Sequence, residues 1–79
     1  MPRLAQLREH HQARLDDVAS VVTGKTTAFM IAQEVFPRVL YDNPRQAFGE
    51  SLAHLNMLAS TGRLTREVDA AGAIAFAPA

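Results

Sequence analysis

The sequence contains no cysteine. That excludes disulfides, zinc–thiolate sites and thiol nucleophiles together. It has no excess of either charge: 8 Lys and Arg stand against 8 Asp and Glu, and three neutral histidines leave the formal net charge at zero. A chain with no net positive charge has little with which to neutralise phosphates, which argues against nucleic acid as a partner. No apolar run approaches the roughly 20 residues of a membrane span. Glycine and proline are sparse, at four each, and there is neither an internal repeat nor a low-complexity linker. The segment Met1-Pro2-Arg3-Leu4-Ala5-Gln6-Leu7-Arg8-Glu9 is amphipathic and lacks the apolar centre of a signal peptide. The expectation from these absences is a soluble, cytoplasmic protein with no membrane contact.

What remains is an ordinary globular composition: 79 residues, 48% hydrophobic and 20% charged. One domain, over 1–79, accounts for that length. So small a domain buries only roughly 60% of its unfolded surface, and its core is thin. A thin core leaves little space for a deep pocket with catalytic groups around it. A binding or accessory module is therefore the better starting expectation than a complete enzyme.

Periodicity orders the chain. Leu4, Leu7, His11, Leu15, Val18 and Val22 recur at helical steps, with Arg3, Glu9, Gln12, Asp16 and Ser20 on the opposite face. Gly24 is a natural stop after that helix. Lys25-Thr26-Thr27 suits a brief extended piece, and either threonine can cap the next helix. Ala28 to Phe36 reads as that short helix, burying Phe29, Ala32, Val35 and Phe36, after which Pro37 stops it or begins an irregular turn. Asn43, Pro44 and Gln46 form a helix start of the capping-box kind. An apolar stripe of Ala47, Phe48, Leu52, Leu55, Leu58 and Ala59 comes next, and Gly62 ends it. Beyond Gly62 the period changes to two: Leu64, Arg66 and Val68 face one way, Thr65 and Glu67 the other. Asp69-Ala70-Ala71-Gly72 is a turn, and Ala73 to Ala77 the return strand, with Ile74 and Phe76 packing on the helices. The fold class expected is mainly α with a small β-hairpin: a winged helix, a helix-turn-helix variant of three helices plus a wing.

Chemistry-bearing patterns are few. Ala19-Ser20-Val21-Val22-Thr23-Gly24-Lys25-Thr26 satisfies a loosened phosphate-loop pattern, but the residues before it end a helix, whereas that mechanism needs a strand. His10 and His11 are neighbours on one helix and cannot ligate from one side. His54 belongs to a different helix, and no metal site is expected in this chain. His11, on the apolar stripe, reads as a packed histidine. Glu50 and His54 lie four apart on one helix face and can pair, though acid–base work also needs a pocket. If the fold bound DNA, the helix from Pro44 to Thr61 would enter the groove. Arg38, Arg45, Arg63 and Arg66 would then have to converge as its contacts.

Several short runs, taken in order, resemble one family. His10-His11-Gln12-Ala13-Arg14-Leu15 resembles the His-Arg-x-x-Arg start of the winged-helix domain found C-terminal to metallo-β-lactamase-fold hydrolases. Glu50-Ser51-Leu52-Ala53-His54-Leu55, then Leu58 and Gly62-Arg63-Leu64, resembles its Ala-His-Leu-x-x-Leu-x-x-x-Gly-x-Val signature. Thr26 and Thr27 are similar to its threonine-rich lead into the second helix. The family's arginine after the first histidine is His11 here, and its frequent final tryptophan is Phe76.

The resemblance implies a terminal, non-catalytic accessory domain of a larger metal-dependent hydrolase. In relatives a dinuclear, zinc-type centre sits in a separate domain on a His-x-His-x-Asp-His motif, which does not occur here. This chain is then expected to hold no cofactor and no catalytic residue, to pack on its own missing catalytic domain, and to help shape the substrate groove. Relatives act on thioesters, lactam-like substrates or RNA. His10, His11, Arg14, Glu50 and His54 are the interface candidates. An apolar patch left uncovered could also bring two copies together as a homodimer. The alternative reading is a free-standing winged-helix DNA-binding regulator using Arg38, Arg45, Arg63 and Arg66.

Overall fold

The computed structural model describes the backbone from Pro2 onward and the side chains from His11 onward. Its elements run α1 (Pro2–Val21), α2 (Ala28–Val35), α3 (Pro37–Asp42), α4 (Pro44–Ser60), β1 (Leu64–Val68) and β2 (Ile74–Pro78). This mainly helical order, closed by an antiparallel hairpin, matches a winged-helix-like fold. Among the described residues no helix is long and apolar enough to cross a membrane.

The α1 stripe is buried at Val18 and Val22 and half-buried at Leu15 and Ala19. Leu4, Leu7 and His10 lie outside the described side chains. Two expectations about this segment are corrected. His11 is exposed rather than packed, because the buried stripe begins a turn later. Gly24 is not the left-handed helix stop, since among the described residues positive φ occurs only at Gly62 and Gly72. Its carbonyl instead accepts from Thr26 Oγ1 at 2.8 Å.

Thr26 is the extended piece. It is buried and forms an isolated antiparallel bridge to Phe76. Thr26 N–H donates to the Phe76 carbonyl at 2.7 Å, and Phe76 N–H donates back at 2.8 Å. Thr27 caps α2, its Oγ1 accepting from Met30 N–H at 3.3 Å. Helix α2 then buries Ala28, Ile31 and Ala32, with Phe36 buried just beyond it. The expected face is right at Ala32 and Phe36 and wrong at Phe29, which is 53% exposed. The Thr26 bridge sets where the helix starts its rotation, and Phe29 falls one step, about 100°, off the buried face.

Pro37 does more than stop α2. It lacks the N–H to continue that helix and fits the first position of another. The result is α3, a short helix absent from the expected three. Asn43 closes α3, its N–H donating to the Val39 carbonyl at 2.7 Å, and opens α4, its Oδ1 accepting from Gln46 N–H at 3.2 Å. Because that Asn43 N–H is already taken, Gln46 cannot complete a capping box. Asn43 Nδ2 donates to Gln46 Oε1 instead, at 3.4 Å.

Helix α4 buries Ala47, Ser51, Leu55 and Leu58. Ser51 sits in the core because its hydroxyl donates to the Ala47 carbonyl at 2.7 Å, leaving no orphan polar group. Phe48, expected inside, is 48% exposed. The helix ends in a Schellman turn: Arg63 N–H donates to the Leu58 carbonyl at 2.9 Å and Gly62 N–H to Ala59 at 3.2 Å. Gly62 supplies the required φ of +82°.

The hairpin pairs Leu64 with Pro78 through Val68 with Ile74. Its turn is held by Asp69, whose Oδ1 accepts from the N–H groups of Ala71 and Ala73, both at 2.9 Å. Gly72 takes φ +86° there. Leu64 and Phe76 seal the core, with Ile74 half-buried against it. Arg66 and Val68 share the face of Leu64 in the alternation, yet both are exposed, although Arg66 pairs across the hairpin with the buried Phe76.

Candidate functional site

Four of the five interface candidates meet in one groove between α1 and α4. Positions three or four apart share a helix face. His11 and Arg14 therefore present together on α1, and Glu50 and His54 together on α4. With Ala53 and Phe36 they line a groove of about 440 Å³. His11, Leu15, Ala53, His54 and Met57 surround an adjoining hollow of about 130 Å³. The fifth candidate, His10, lies outside the described side chains.

Phe36 organises the groove. Buried at the end of α2, it carries Arg14 on its ring, with Cζ 5.2 Å from the centroid. A guanidinium at that distance gains from the ring quadrupole. The His54 ring tilts against Phe36 at 5.5 Å, and the His11 ring lies nearly parallel to His54, with centroids 6.3 Å apart and planes at 12°. Sequence reasoning placed Phe36 in the core without assigning it to the site. No spacing rule joins a residue on α2 to others on α1 and α4.

The Glu50–His54 spacing produces a contact other than a charge pair. His54 Nδ1 lies 2.6 Å from the Glu50 backbone carbonyl. A carbonyl only accepts, so Nδ1 carries the proton and the neutral ring keeps its lone pair on Nε2. The Glu50 carboxylate is engaged elsewhere, its Oε1 accepting from Gln46 Nε2 at 3.4 Å. Among the described residues no three His, Asp or Glu side chains are placed to hold a metal ion. The described residues thus do not fit a dinuclear metal centre.

The arginines proposed for DNA are spread out. Arg38 is on α3 and Arg45 in the first turn of α4, while Arg63 lies past the far end of α4. A helix of that length spans about 25 Å. Arg66 lies on β1. Arg63 pairs with Asp16 at 2.9 Å, the only ion pair among the described residues. The phosphate-loop pattern runs from the end of α1 into the Thr26 bridge, with no strand ahead of it.

The hydrogen bond from Arg63, then the one from Gln12, hold the Asp16 carboxyl below its usual 3.8. A carboxyl lowered in the folded state adds stability above its unfolded pKa, and that increment disappears as pH falls through the lower folded value. Arg63→Ala is expected to return the Asp16 midpoint towards 3.8, read by NMR titration of its carboxyl carbon. An unchanged midpoint would remove Arg63 as the cause.

Residues 15–79 match the family described as Metallo-beta-lactamase-like, C-terminal domain. The chain belongs to that family. Glu50 and His54 fall within the matched span of this metallo-β-lactamase-like C-terminal domain; His11 and Arg14 precede it. A solved crystal structure of a beta-lactamase domain protein from Burkholderia ambifaria is similar to it at 41% identity and a TM-score of 0.80. The similarity covers 99% of this chain and 24% of that one. No curated protein matches the sequence.

Proposed function

We propose that this domain is a non-catalytic accessory module of a metallo-β-lactamase-like hydrolase, docking on a metal-dependent catalytic domain through the α1–α4 groove and helping to shape its substrate cleft. The observation that carries this reading is the convergence of His11, Arg14, Glu50 and His54 from two helices into one groove. Family membership and the small share of the related protein that this chain spans support it. The hydrolytic centre, of dinuclear zinc type, would reside in the partner domain, and the cysteine-free composition suits the reducing cytoplasm. The DNA-binding reading has weaker support, since Arg63 is paired with Asp16 and Arg45 stands at the other end of α4.

Immunoblotting extract of the source cells with an antibody against this domain tests the proposal. The expected band is several times heavier than 8.6 kDa. A band at that mass would overturn it. The isolated domain supplied with zinc should hydrolyse neither a lactam nor a thioester, and metal-dependent turnover would refute the non-catalytic part.

A further inference from the structure

The geometry points to a binding site for a phosphate group, free or esterified, formed by Arg14, His11 and His54 around the Phe36 ring. Arg14 is permanently charged, and its planar fork matches an oxyanion. Its Cζ lies over the Phe36 ring, 5.2 Å from the centroid. Phe36 is only 6% exposed, so the guanidinium lies over a fixed surface. The same ring abuts His54, which lies parallel to His11. One buried aromatic thus gathers a permanent cation and two imidazoles that become donors at both nitrogens on gaining a proton.

The remaining groups suit an anion better than a cation. Glu50, the one carboxylate lining the groove among the described residues, bonds to Gln46 and makes no ion pair with Arg14. The Glu50 carbonyl fixes the His54 ring through Nδ1, leaving Nε2 to meet a ligand. Arg14 would repel a metal ion. A phosphate group offers three acceptor oxygens and close to two negative charges, against three donor groups here; a carboxylate offers two oxygens and one charge. The groove, at about 440 Å³, admits the phosphate and part of the molecule bearing it. The site lies in the same groove proposed for docking, so in the whole protein it would sit at the seam between the domains. The titration uses the isolated domain, and its failure would leave the docking reading untouched.

The experiment is an NMR titration of the isolated domain at pH 6.5. The His11 and His54 ring signals are assigned with His11→Gln and His54→Gln. Inorganic phosphate is added at constant ionic strength, with acetate and a nucleoside diphosphate in parallel. Both signals should shift saturably with phosphate, with a millimolar Kd and weaker binding of acetate. Arg14→Gln should weaken binding about tenfold, as expected for losing a charge-assisted bidentate contact. Arg14→Lys should restore it only in part, and Arg63→Gln should leave it unchanged. Tighter binding of the diphosphate would support an esterified ligand, and equal binding a free one. Shifts that track ionic strength alone, equal affinity for acetate, or an Arg14→Gln variant that binds like the parent would each overturn the site.

Discussion

Replacing Phe76 by alanine is expected to remove most of the stability of this domain. Phe76 is the largest fully buried side chain and only 1% exposed. Truncating a buried phenylalanine costs about 3–5 kcal/mol, the lost transfer energy plus the cavity left behind. A domain of this length has about 4–12 kcal/mol in all, and small size favours the lower end. The cavity would also open in the core cluster that the hairpin shares with the helices, loosening the wing's packing on them. Thermal unfolding monitored by circular dichroism should show a drop of at least about 15 °C. Phe76→Leu, which keeps most of the volume, should cost clearly less. A Phe76→Ala melt within a few degrees of the parent would contradict this packing.

Leu55→Ala should be the second most damaging of these changes. Leu55 is fully buried on α4, and truncation there costs about 2–5 kcal/mol. Phe48→Ala, on the same helix, should cost less than about 1 kcal/mol, because Phe48 is half exposed and leaves no cavity. The contrast sets side-chain size against position: the larger residue should matter less. Urea denaturation of both variants measures it, and comparable losses would mean that α4 presents a different face to the core.

These two positions also mark how far the sequence can be read. The α4 stripe contains both, and periodicity alone assigns both to the interior. Leu55 is buried. Phe48 is not, because the buried line runs through Ala47, Ser51, Leu55 and Leu58. Ser51 gave no apolar signal, since its hydroxyl is satisfied within its own helix. Helix boundaries were most legible where capping chemistry is local, at Thr27, Asn43 and Gly62. They were least legible at Pro37, where one residue ends a helix and starts the next. The turn at Asp69–Gly72 was clear for the same local reason. The groove was half legible: His11 and Arg14 came in as a pair only with the family resemblance, while spacing put Glu50 with His54. It could not bring the two pairs together, nor set Phe36 beneath them, because those contacts cross three helices.

The Thr26–Phe76 bridge has a consequence for the order of events during synthesis. Fifty residues separate its partners, counting from 26 to 76. A ribosome adds about 5–20 residues per second, so the 16 residues from Ser60, the end of α4, to Phe76 take about one to three seconds. Throughout that interval all four helices have been translated while the ring that seals them has not. Helices form within microseconds, so the nascent domain waits with an open apolar seam, and non-local closure comes last. Codon usage or chaperone supply over 61–76 should therefore affect its yield.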